Sequence, residues 1–378
     1  MGQPSVPTPQ SDSVTERPSL LRSNAGTQAR VPREFSAAPL ESAAARQCFQ
    51  ADWGQLDTGG GLELAVANFN QPNEVYAVEQ GRLVLKWTDP HTEPTQGIAW
   101  GDFDRDGDDD LAIANMGAPN RVYQNHDGEL RLLWSEPDAT ASKDVIWGDV
   151  NGDSLLDLLF ANAGPNRIYL REGQSFRLSF EGLPEDETDS LALADFDADG
   201  VLDLAVANSG QPTQDRLLQG ASEGFQRPQS FGPREQSSSV AWVDIDGDGQ
   251  LELAIARPSS ADSVFRISPG KKPQPHYRGV EGTHTREVTA VDLNGNGKDA
   301  LLWAVEGGLH LQEFGPAGAS TLGVFAQESL TEGVDFGDAD GDGDHDLAVC
   351  NRDGDLQLES GVEGGTPIRV YLYEGIQP

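Results

Sequence analysis

Short apolar stretches and acidic, glycine-bearing loops alternate along most of this chain. In the clearest copy, a stretch at 97–102 leads into Asp102-Phe103-Asp104-Arg105-Asp106-Gly107-Asp108-Asp109-Asp110, and the run Leu111-Ala112-Ile113-Ala114-Asn115 follows. A period-two run of this kind predicts a strand. The rest of the unit reads as a turn at 115–119, a strand at 120–125, Gly128 and a last strand at 129–134. The first loop position falls at Gln55, Asp102, Asp149, Asp195, Asp244, Asp292 and Asp338, a step of 46–49 residues. Such a period marks a repeat architecture whose units cannot bury their apolar faces alone. Seven units are present.

The loop has a definite chemistry. Carboxylates at positions 1, 3, 5 and 9 place oxygens on alternate residues of a tight turn, and glycine at position 6 permits positive φ. The position-7 carbonyl can then also point inward. Calcium takes six to eight oxygens in flexible geometry, whereas magnesium demands a tighter octahedron. Zinc is disfavoured because no Cys or His accompanies the loops at ligand spacing. An EF-hand would need Glu at position 12, where Ile113, Ile255 and Val349 stand inside strand-like runs. Metal-free Asp-Gly hairpin turns would explain one such loop. They do not explain crowded carboxylates in loop after loop, since like charges repel.

The copies differ in completeness. The expected ligand sets are Asp102, Asp104, Asp106 and Asp110; Asp195, Asp197, Asp199 and Asp203; and Asp338, Asp340, Asp342 and Asp346. The third copy has Asp149, Asn151, Asp153 and Asp157, with Ser154 in place of the glycine. The fifth has Asp244, Asp246, Asp248 and Glu252. Backbone carbonyls would come from Asp108, Leu155, Val201, Gln250 and Asp344. The sixth copy ends in Ala300, with Asp299 one residue early, and the first has Gln55, Asp57 and Glu63. Calcium is therefore expected at five loops, with the first and sixth weak or empty.

These residues resemble the FG-GAP/VCBS repeat family, the calcium-loop propellers related to the integrin α-subunit head. Phe336-Gly337 precedes the seventh loop, Gly117-Ala118-Pro119 follows the second, and the loops match the family's calcium motif. The resemblance covers roughly residues 46–378. It implies an all-β, seven-bladed β-propeller of four-stranded antiparallel blades, with the calcium loop joining the first two strands of each. The domain is expected over 29–378, after a flexible leader at 1–28. The seventh unit has only three strand-like segments, so Arg30–Ser36 is expected to supply the fourth and close the ring. Pro32 suits such an edge. Cys48 and Cys350 fall near that closure, but the strict geometry of a disulfide favours two independent buried thiols.

Composition narrows the function. A net charge of −36 repels phosphate backbones and anionic lipid, which argues against nucleic acid and membrane surfaces. No apolar run approaches a membrane-spanning length. Low-affinity calcium loops fill only near millimolar calcium, so an extracellular or periplasmic location is expected; residues 1–28 lack the apolar core of a signal peptide, which keeps the cytoplasm as the alternative. Trp53, Trp100, Trp147 and Trp242 each precede a loop by two residues, suited to filling the wedge between blades. The Asn-x-Gly-x-Pro-Asn turns are read as structural.

No catalytic arrangement stands out among the histidines or carboxylates. The reading is a calcium-binding, non-catalytic module for a carbohydrate or protein ligand. A propeller-type polysaccharide lyase or hydrolase and a structural spacer are the alternatives. The face opposite the loops is expected to be functional. There the basic group Lys271, Lys272 and Arg278, with His276 and Tyr277, is the candidate ligand site in a crossing after the fifth repeat.

Overall fold

The computed structural model describes residues 40–42, 47–57, 59–182, 187–210, 214–221, 224–315, 318–326, 330–352 and 369–371. Among them the regular elements are strands, and no helix is long and apolar enough to cross a membrane. The second unit consists of Glu93–Gly101, Asp110–Ala118, Arg121–Gln124 and Arg131–Ser135, each antiparallel to the next. The first unit is Cys48–Gly54, Glu63–Gln71, Glu74–Glu79 and Arg82–Thr88. Later units open on Thr140–Gly148, Thr188–Ala194, Ser239–Val243, Glu287–Val291 and Leu330–Gly337. Among the described residues, the acidic loop joins the first strand to the second in each of these units.

The alternation along the second strand has a different cause from the usual inside-outside pattern. Leu111, Ala112, Ile113 and Ala114 are all fully buried. Leu111 and Ile113 pack with Ala65, Ala67, Ile98 and Trp100, toward the first unit. Ala112 and Ala114 pack with Val145, Trp147, Leu158 and Phe160 of the third. Period two therefore separates a large face from a small one, so that consecutive units interdigitate at native density. The expected turn at 115–119 is partly strand, because Met116 and Ala118 pair with Ala141 and Thr140 of the next unit.

Tryptophan and glycine set the spacing between units. A Cβ on Gly54 would stand 2.2 Å from Cγ of Trp100, and one on Gly101 would stand 2.8 Å from the Trp147 ring. The indole N–H groups of Trp100, Trp147 and Trp242 donate to the carbonyls of Asp52, Ala99 and Ala192 in the preceding unit. The tryptophans are wedge residues, as their spacing implied. The asparagine turns are structural too. Asn115 donates its backbone N–H to Asn120 Oδ1 at 2.7 Å and its amide to the Pro119 carbonyl at 2.7 Å, and Asn68 and Asn162 repeat both bonds.

The last unit contains Leu330–Gly337, Asp346–Arg352, Arg369–Tyr371 and, as its outer strand, Leu40–Glu41. Leu40 pairs with Val370 and Glu41 with Arg369. The segment Arg30–Ser36, expected in that place, lies outside the described residues. The first unit packs against the last: Trp53 covers Gly337, and the Leu62 N–H donates to the Asp338 carbonyl at 2.9 Å. Cys48 and Cys350 form a disulfide across this seam, with Cα atoms 5.1 Å apart, which corrects the expectation of two free thiols. Each cysteine sits at the strand end away from the loops, one on either side of the seam, so the two backbones come within bonding range.

Candidate functional site

The acidic loop shapes itself with its own carboxylates. Asp102 Oδ1 accepts the N–H groups of Arg105 and Asp106 at 2.6 and 3.1 Å, and its Oδ2 accepts Gly107 at 3.2 Å. Asp149, Asp195, Asp244 and Asp338 do the same work at position 1 in their own loops. Two left-handed residues are needed for this curl. Arg105 and Gly107 have φ of 66° and 100°, and Gly152 and Ser154 have 76° and 68°. Ser154 thus keeps the glycine conformation at some cost. Position 4 was not singled out in the sequence, although Gly152, Gly247, Gly295 and Gly341 occupy it.

Position 9 is buried and bonded at both ends. Asp110 accepts the N–H of Phe103 at 3.1 Å and of Asn125 at 2.8 Å; Asp157 and Asp203 accept the equivalent pairs. Glu252 accepts Ile245 at 3.3 Å, and Asp346 accepts Ala339 at 2.8 Å. Burial, reinforced by neighbouring carboxylates, pushes Asp110 up to about 8, Glu252 to about 7, and Asp157 and Asp203 to about 6. Asp102, Asp197 and Asp340 are raised for the same reason.

Carboxylate oxygens converge within 4.8 Å of one another in four described groups: Asp102, Asp104 and Asp110; Asp195, Asp197 and Asp199; Asp244, Asp246 and Asp248; and Asp338, Asp340 and Asp346. In the third loop the Asn151 amide donates to Asp153 at 3.0 Å instead. The position-7 residues Asp108, Leu155, Val201, Gln250 and Asp344 lie in the curl, their N–H groups donating to position 5, which is Asp106, Asp153, Asp199, Asp248 and Asp342 respectively. Position 3 is the telling one. Gln124 and Gln219, on the third strands, donate to one oxygen of Asp104 and Asp197. The other oxygen of each, Oδ1, is buried and accepts no hydrogen bond. A buried carboxylate oxygen left bare in this way is costly unless a cation faces it, so the donor set fits a hard divalent ion.

The fifth loop fits less well. Arg266 directs its guanidinium to Asp246 at 2.7 Å and lies 3.6 Å from Glu252. In the first loop Lys86 stands 3.9 Å from Asp57. In the sixth, Asp299 turns away to accept the backbone N–H of Asp244 at 2.9 Å, which explains its offset by one residue. Asp109 accepts the Gln55 N–H at 2.8 Å in the same manner, so position 8 clasps the preceding loop.

The basic group does not assemble. Lys271 and Lys272 lie in the hairpin turn between Ser263–Arg266 and Gln274–Arg278, at the loop end of the fifth unit, because Arg266 pairs with Glu252. Arg278 pairs with Ser263 at the other end of that outer strand and is 2.8 Å from Glu281. Six residues of extended chain put about 20 Å between Lys272 and Arg278. The segment is a hairpin within a unit and not a crossing between units. Tyr277 packs edge-on against Phe314 at 5.2 Å.

Comparison with known proteins agrees with this geometry. Residues 102–160, 149–206 and 195–255 each match the FG-GAP-like repeat. No curated protein matches the sequence. Among solved structures, BBS1N in complex with ARL6DN, soaked with mercury, superposes with a TM-score of 0.61 at 14% identity, over 88% of this chain and 96% of that one. The same complex soaked with lead gives 0.60 at 13% identity, over 89% and 96%. At that identity the likeness is one of fold alone, and the fold is a β-propeller.

Proposed function

For a chain of FG-GAP-like repeats folded as a β-propeller, we propose the role of a calcium-stabilised, non-catalytic binding module that recognises a protein ligand. The observation that carries the calcium reading is the bare, buried Oδ1 of Asp104 and of Asp197, each beside two further carboxylates. Calcium bound there would draw on positions 1, 3, 5 and 9 and the position-7 carbonyl. It would supply charge neutralisation in the second, third, fourth and seventh loops. The carboxylates are then spent on holding the fold, which argues for binding over catalysis.

A protein ligand is favoured over a carbohydrate because the tryptophans that could have offered repeated sugar platforms are wedged between units. The similar BBS1N fold is also seen in a complex with another protein. The Cys48–Cys350 disulfide supports an oxidising compartment, where millimolar calcium is also found. Calcium titration by calorimetry, with and without Asp104→Asn and Asp197→Asn, tests the metal reading: each variant should remove one binding equivalent. Unchanged stoichiometry in both would refute it. A glycan array run with calcium and with chelator tests the ligand class, and calcium-dependent sugar binding would replace the protein-ligand reading by a lectin.

A further inference from the structure

The third-strand residue beside loop position 3 differs from unit to unit in a way that bears on metal. One residue past the Leu111–Tyr123 and Leu204–Leu218 pairs stand Gln124 and Gln219, neutral amides that engage one oxygen of Asp104 and Asp197 and leave the other bare. The corresponding residue of the fifth unit is Arg266, paired directly with Glu252. Its guanidinium bonds Asp246 at 2.7 Å and reaches toward Glu252 at 3.6 Å, across positions 3 and 9 of the loop. The loop's other three carboxylates are engaged as well. Asp244 accepts three backbone N–H groups, Asp248 accepts the Gln250 backbone N–H and side-chain amide, and Glu252 accepts Ile245.

We propose that Arg266 is the resident cation of the fifth loop, doing with one fixed positive charge what calcium does in the second and fourth. The inference rests on the calcium reading of those other loops. A guanidinium is always charged and spans two carboxylates with its planar fork. A divalent ion among Asp244, Asp246 and Glu252 must displace that fork and then face a like charge a few ångströms away. The fifth loop therefore binds calcium at least about tenfold more weakly than the second. It stays ordered when calcium is removed.

Counting calcium equivalents on the full chain by calorimetry decides the matter. Arg266→Gln, which installs the residue found in the second and fourth units, should add one equivalent. The reciprocal Gln124→Arg should remove one, and Asp246→Asn in the otherwise native protein should leave the count unchanged. Should Arg266→Gln fold poorly, the Asp246→Asn count still tests the proposal. No gain in Arg266→Gln, or the loss of an equivalent in Asp246→Asn, overturns it. A native protein that binds no calcium at all would sink the reading of the other loops, while the Arg266→Gln count would still judge this one.

Discussion

Cys48 and Cys350 are bonded across the seam between the first and last units, with 302 residues between them in sequence. The link therefore closes nearly the whole β-sheet region into one covalent loop, and long loops lose the most entropy when closed in the unfolded chain. Reduction, or the double replacement Cys48→Ser and Cys350→Ser, should lower stability by about 2–5 kcal/mol. Urea unfolding with and without reductant measures it. Identical midpoints would show that the seam holds without its covalent link.

Calcium should stabilise the fold by mass action. Dissociation constants of about 0.1–1 mM at millimolar calcium correspond to roughly 0.4–1.4 kcal/mol per loop, or about 2–6 kcal/mol over four loops. Chelation should accordingly lower the melting temperature. Asp57→Ala in the first loop, where Lys86 already stands nearby, should leave the calcium response unchanged. A melting curve indifferent to chelator would contradict this.

The chelated protein should lose stability as pH rises. Asp110 is pushed up to about 8, Glu252 to about 7, and Asp157 and Asp203 to about 6, all above the ~4 of an unfolded carboxylate. Between about pH 4 and 8 the folded chain thus holds protons that the unfolded chain has released. The contribution is full below pH ~4 and is lost as pH passes through those raised values. With calcium bound, the charged forms are neutralised by metal, and the slope should flatten or reverse. Denaturation in chelator at pH 5 and pH 8 checks the sign, and greater stability at pH 8 would be the wrong one.

Gly54→Ala should be costly for its size. The added methyl would stand 2.2 Å from Trp100 Cγ and force the wedge apart, at about 1–3 kcal/mol. Gly60→Ala, whose Cβ would meet nothing within 4 Å, is the matched control and should stay within about 0.5 kcal/mol. Paired thermal melts compare the two.

Much of this protein could be read from the chain because its information is local. Asp102 through Asp110 curl with bonds spanning at most eight residues, and the runs on either side declare strands by their period. Seven copies of one local pattern made the antiparallel, four-stranded plan legible without any long-range contact being known. The tryptophans were legible for the same reason, since a fixed place in every unit implies a fixed place in the packing.

What the tertiary structure alone decided concerns residues whose partners lie far away in sequence. Nothing near Asp299 shows that it bonds Asp244, 55 residues earlier, in place of serving its own loop. Lys271, Lys272 and Arg278 look like one basic group in sequence, yet an extended strand carries the last of them to the far end of its unit. Leu40–Glu41 takes the outer-strand place and Cys48 meets Cys350 because the first unit packs against the last. Arg266 acts on the fifth loop only because strand register sets it opposite Glu252, 14 residues before it. Local sequence dictates backbone curl and period through φ, ψ and alternation. Which charged side chain faces which loop is set by register and by packing between units, and no repeat-level pattern encodes that.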